Sequence, residues 1–192
     1  MPTIQHQPLR DFGYALFEAA GVPADQARTA TNHLVEANLM GHDSHGMLHA
    51  AGYIRGLQSG AIQPVGNQQI LRETPVSAVI DANRSFGIVL TYEAMRMAVE
   101  KAKAHTLGAV AVHRSSHIGR LGAFPPLAAA EDCIGILMLN GGGPLCRPLW
   151  RHGTEIAAQS DCNQRADPKR PGHDARYHDE HGGRWQSAGG RF

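Results

Sequence analysis

Up to Leu145 aliphatic residues recur throughout the chain, and beyond it they almost vanish. From Cys146 to Phe192 the chain holds eight of its eighteen Lys and Arg residues, four of its twelve histidines and both tryptophans, yet after Leu149 only Ile156 stands among Leu, Ile, Val, Phe and Met until Phe192. A segment so poor in apolar surface does not offset its own ordering entropy. Any packed core must therefore come from the first 145 residues, and 146–192 is expected to be a disordered or non-native tail.

Within those limits a chain of 192 residues, 42% hydrophobic, is long enough for one ordinary domain or one and a half. A formal net charge of +1 argues against nucleic acid or a strongly acidic surface as partner. Cys133, Cys146 and Cys162 are odd in number and irregularly spaced, which points away from a disulfide framework and toward a reducing compartment. The N-terminus lacks a basic and apolar leader pattern, and no stretch reaches the roughly 18 apolar residues of a membrane span. A cytoplasmic, soluble protein with no membrane partner is expected.

Three helical patterns come first: from Pro8 with Leu9, Phe12, Leu16 and Phe17 to Gly21, from about Pro23 through Ala27, Ala30, Leu34 and Ala37 to Gly41, and from about Met47 through Tyr53, Ile54 and Leu57 to Gly60. They define a helical N-terminal subdomain, 1–68. The pattern then changes: strands are predicted at Ile70-Leu71, Val76–Asp81, Gly108–His113, where the run suits a buried strand, and Cys133–Leu139. Helices are predicted after Gly87 and through Leu127–Ala130. This alternation is α/β grammar, and 69–145 is read as a partial α/β unit with an incomplete mixed sheet.

Chemistry concentrates at two histidine loops, Gly41-His42-Asp43-Ser44-His45-Gly46 and Ser115-Ser116-His117-Ile118-Gly119-Arg120-Leu121-Gly122. Each sets an imidazole beside serine and glycine at the end of a regular element, where a titratable ring can reach a ligand. The plainer readings are a capping or solvated histidine for Ser44-His45 and a strand-to-helix turn for His117-Ile118-Gly119, and His42 and His113 read as supporting residues. Gly119-Arg120-Leu121-Gly122 is too short to be a dinucleotide fingerprint by itself. Cys146, His152, Cys162, His173, His178 and His181 lack the tight pairing of a zinc site, so no metal is expected.

Together with Tyr53-Ile54, Leu57, Gly60, Val79-Ile80-Asp81 and Ile134-Gly135-Ile136, in this order and spacing over roughly residues 8 to 145, these loops resemble the malate/L-lactate dehydrogenase family. That is the non-Rossmann group that includes ureidoglycolate and sulfolactate dehydrogenases. The resemblance implies a three-layer α/β fold, homodimers in intact relatives, and NAD- or NADP-dependent interconversion of a 2-hydroxy acid and its 2-oxo acid. It further implies proton exchange by His45, orientation of that ring by Ser44, and a cofactor lying against His117, Ile118, Gly119, Arg120, Leu121 and Gly122. Where many members carry an arginine for the substrate carboxylate, this chain has His49, which lacks a permanent charge and a two-pronged donor.

The tail has a sharper explanation. Read one nucleotide later in codons, Cys146–Arg151 is compatible with Val-Ala-Pro-Phe-Gly-Gly, and 159–166 and 173–182 likewise restore apolar strings that resemble what the family carries next. A change of reading frame near Leu145 is expected, leaving the rest of the sheet, half the cofactor pocket and an acidic partner of the active-site histidine behind it. The competing reading of function is then an inactive fragment of such an enzyme.

Overall fold

The computed structural model describes residues 4–139. The expectations of a disordered tail and of a frame change near Leu145 fall outside those residues.

Helices α1 (His6–Ala19), α2 (Ala24–Leu39) and α3 (Ala50–Gln58) form the first layer. Glycines end the first two as the sequence implied: Gly21 and Gly41 take positive φ, the left-handed conformation that closes a helix with little strain when no Cβ is present. The third begins later than its apolar pattern, because Met47–His49 winds as a tight 3-10 turn and the α-helix starts only at Ala50.

The sheet has the order β1 (Gln69–Glu73), β2 (Ser77–Asp81), β3 (Ala109–His113), antiparallel between the first two and parallel between the last two. A parallel pair needs a long crossover, which α4 (Gly87–His105) supplies. On β2, Ala78 and Ile80 point into the core, where Ile80 meets Leu90 of α4, with Val110 and Val112 packed against the same cluster. A short helix, α5 (Pro125–Ala129), packs on α4.

Two strand expectations need correction. β3 forms where its apolar run lies but is not buried: its residues alternate between exposed and half-buried, because α4 covers one face. The 133–139 segment is not a strand, and Gly135 alone makes a bridge. Its side chains nonetheless alternate, with Cys133, Leu137 and Leu139 packed on the α4–α5 cluster while Ile134, Ile136 and Met138 are 64%, 54% and 70% exposed. Propensity and pleat are present, but a ladder also needs a neighbouring backbone.

The main core crosses the expected boundary at residue 68. Phe17, Leu34, Tyr53 and Leu57 of the helical layer cluster with Phe86, Ile88 and Val89 at the start of α4, and the Phe86 ring lies 5.6 Å from Phe17 and 5.1 Å from Tyr53. Clustered rings at such spacing add to the burial energy, so the two layers are fastened at the place where both histidine loops emerge.

Candidate active site

The 42–47 loop is held from α2. The Asn38 side chain accepts the Met47 backbone N–H at 2.9 Å and donates to the Asp43 carboxylate. Gly46 sits against this amide so closely that a Cβ there would lie 2.2 Å from Asn38 Oδ1. The result is two 3-10 turns, Asp43–His45 and Met47–His49, that project His45 and His49 from one short arc.

The second loop is held from the sheet side. Ala82 and Arg84 donate backbone N–H bonds to the carbonyls of His113 and Arg114, so the chain leaving β2 runs beside the chain leaving β3. Ser116 Oγ then accepts the Gly87 N–H at 2.8 Å, and only glycine fits at 87, where a Cβ would meet the Ser116 carbonyl at 2.2 Å. From the helical side His33, 1% exposed in the middle of α2, accepts the Arg120 backbone N–H on Nε2 at 2.9 Å and reaches the Tyr92 hydroxyl with Nδ1.

These anchors gather three imidazoles. The ring of His117 lies 6.0 Å from His45 and 4.9 Å from His49, nearly parallel to both, and His45 and His49 are 6.1 Å apart. Ser44 Oγ is 3.0 Å from His45 Nδ1, and a hydroxyl serves that nitrogen as donor or acceptor. His49 Nε2 lies 2.5 Å from the Ser44 carbonyl, an acceptor only, so this nitrogen carries a hydrogen. The Tyr53 hydroxyl is 2.7 Å from His117 Nδ1.

The electrostatics disfavour charge on His45, His117 and His33. Partial burial, then His49, His42 and Arg120, holds His45 below the ordinary imidazole value. Burial lowers His33 to about 3, helped by Arg120, His117 and His45, so this ring stays uncharged throughout the physiological range. Burial raises the Tyr53 hydroxyl and keeps it a phenol. Among the described residues no carboxylate forms an ion pair with any of the three rings, and no group of His, Cys, Asp and Glu is arranged to hold a metal ion.

Of the residues expected near a cofactor, His117 joins the imidazole cluster, while Ile118, Gly119, Arg120 and Gly122 are buried and Leu121 is half-buried. Gly119, at φ +76°, turns its bare Cα toward His33, whose Nε2 would lie 2.2 Å from a Cβ. Sequence reasoning passed over His33 and Asn38. His33 had a legible signal: with Ala30, Leu34 and Ala37 it completes the i, i+3, i+4, i+7 stripe of a buried helix face. Asn38 had none, since its partners are set by a turn nine residues long.

A helical layer fastened to a small mixed sheet, with a serine-histidine pair near their junction, defines an α/β protein with a cluster of three imidazoles. The profile of the malate/L-lactate dehydrogenase family matches residues 4–154, past Leu145, and the chain belongs to that family. It is 36% identical over 157 residues to hydroxycarboxylate dehydrogenase B of Escherichia coli O157:H7, an alignment covering 81% of this chain and 44% of that protein. With malate dehydrogenase of Pyrococcus abyssi the identity is 37% over 145 residues, 76% of this chain and 40% of the other. The structure of malate dehydrogenase from Pyrococcus horikoshii superposes with a TM-score of 0.69 at 32% identity, covering 74% of this chain and 43% of that one. The chain thus spans less than half the length of these relatives. No helix among the described residues is long and apolar enough to cross a membrane.

Proposed function

We propose that this site carries the proton-transfer half of a nicotinamide-dependent interconversion of a 2-hydroxy acid and its 2-oxo acid, the substrate class that the relatives' names share. The observation that carries the reading is the Ser44–His45 pair, with Oγ 3.0 Å from Nδ1. Oxidising a 2-hydroxy acid removes hydride from C2 and a proton from the hydroxyl. A His45 held neutral, with Ser44 accepting from Nδ1–H, has its Nε2 lone pair ready for that proton. In the reverse direction the protonated ring returns it to the carbonyl oxygen. Because a serine hydroxyl donates as well as accepts, Ser44 orients the ring in either tautomer.

Hydride exchange at C2 is what a bound NAD or NADP supplies. His45, held below the ordinary imidazole value, would take the proton that accompanies that hydride. The described residues do not fit the cofactor's phosphates: the bare face of Gly119 is filled by His33, and Ile118, Arg120 and Gly122 are buried in packing. His49 is proposed at the substrate carboxylate, but its Nε2–H is engaged by the Ser44 carbonyl, so it grips an anion only when protonated.

A second reading, an inactive fragment of such an enzyme, is favoured by one observation: the chain spans 44% of the hydroxycarboxylate dehydrogenase it matches. Purified chain mixed with NADH or NADPH and a panel of 2-oxo acids separates the two. Steady cofactor oxidation that His45→Ala abolishes supports the enzyme. Absence of cofactor binding refutes it and supports the fragment.

A further inference from the structure

We propose that Tyr53 is a positioning residue which, together with the backbone N–H of Gly119, holds His117 in its Nε2–H form, so that His117 presents a fixed, neutral N–H donor to an oxygen of the acid substrate. The inference rests on the acid-site reading and moves His117 from the cofactor side of the site to the substrate side.

The Gly119 backbone N–H points at Nδ1 of His117 from 3.3 Å, and a backbone N–H only donates. Nδ1 must therefore offer its lone pair, and the Tyr53 hydroxyl, with 2.7 Å to this nitrogen against 3.5 Å to the His117 carbonyl, has Nδ1 as the nearer acceptor for its hydrogen. Two donors converging on one ring nitrogen place the hydrogen of a neutral imidazole on the other. Nε2 has no protein partner among the described residues, and His117 as a whole is exposed, so this N–H is available to a ligand.

Tyr53 is itself hard to move. It is 4% exposed, its ring is packed against Phe17 and Phe86, and burial keeps its hydroxyl protonated. The charged form of His117 is disfavoured by partial burial and by His49 and His45. The three rings then divide the work. His45 exchanges the proton, His49 has given its N–H to the Ser44 carbonyl, and His117 supplies the one donor whose identity does not change when His45 titrates. A donor fixed beforehand costs no reorganisation as charge develops on the substrate oxygen.

The test is a nitrogen-15 correlation spectrum of the histidine rings in the full chain at about pH 7, with His117 assigned through a His117→Gln variant. Nδ1 of His117 is expected at the unprotonated extreme and Nε2 at the protonated one. Tyr53→Phe, which keeps the ring packing, is expected to move both signals toward the average of the two tautomers. Averaged signals in the unsubstituted chain, or signals that Tyr53→Phe leaves unmoved, would overturn the lock. Titration with L-malate is expected to shift Nε2–H to a saturating value, and no response at that signal would overturn the donor role. A locked ring in a chain without turnover would refute the proposed reaction alone, whereas turnover with an averaging ring would refute the lock alone.

Discussion

Lowering the pH from 7 to 5 should weaken this fold measurably through His33. The ring is 1% exposed, and burial takes its proton affinity from an ordinary 6.5 down to about 3. Through this interval the unfolded chain takes up a proton on His33 and the folded chain does not, so stability is fully present above 6.5 and falls as the pH drops toward 3. Between pH 7 and 5 the linkage relation gives a loss of about 2 kcal/mol, near 25-fold in the folding equilibrium. Other histidines contribute as well, so the decisive quantity is a difference between two proteins. His33→Gln keeps an acceptor for the Arg120 N–H but loses the ring contacts to Tyr92 and Phe124, with an expected cost at pH 7 of about 1–2 kcal/mol. Urea unfolding followed by circular dichroism at both pH values should show this variant losing about 2 kcal/mol less than the unsubstituted chain on acidification. Equal losses in the two proteins would mean that His33 is protonated in the folded state, and the account of the buried ring would be wrong.

Three further outcomes follow from the same contacts. Gly119→Ala sets a Cβ 2.2 Å from His33 Nε2 at a positive φ, and should cost about 2–4 kcal/mol in thermal or urea unfolding; an unchanged midpoint would deny the close approach. Asn38→Ala removes the acceptor for Met47 N–H and the donor to Asp43, and should cost roughly 1–3 kcal/mol while broadening the ring signals of His45 and His49; sharp, unshifted signals would show that the turn holds without it. Ile136→Lys interrupts the exposed row Ile134, Ile136 and Met138 and should reduce concentration-dependent light scattering; identical scattering would place any association elsewhere.

Much of the architecture was legible because local rules and tertiary packing agree over most of its length. Leu34, Ala30 and Ala37 fall on the buried face their spacing implies, and Ala78 and Ile80 alternate as a half-buried strand should. The rule failed at Cys133–Leu139, where the alternation is real and no ladder forms among the described residues, because a strand is completed by another stretch of backbone rather than by its own residues. It also overstated β3, since an apolar run records what a strand is able to bury and not what covers it. The two histidine loops stand out through motif and resemblance, but their mutual geometry does not. That His45 and His117 share one cluster depends on Phe17, Tyr53 and Phe86 meeting across the two layers, a contact between positions far apart in sequence.

The anchoring of the three rings also bears on which properties residues 4–139 hold by themselves. Asn38 and Gly46 shape the arc that carries His45 and His49, and Tyr53, Ser116, Gly119 and His33 shape the loop that carries His117. Each of these anchors lies within residues 4–139, so the geometry of the imidazole cluster follows from this part of the family fold. Enclosure of a substrate and grip on a cofactor's phosphates are different requirements, and the loop expected to serve the latter has its glycine face occupied by His33. The geometry of the imidazole cluster and turnover are therefore separable here. A chain that binds no cofactor should still show a neutral His33, a Ser44-oriented His45 and a single tautomer at His117, because those features are set by packing and hydrogen bonds and not by a ligand.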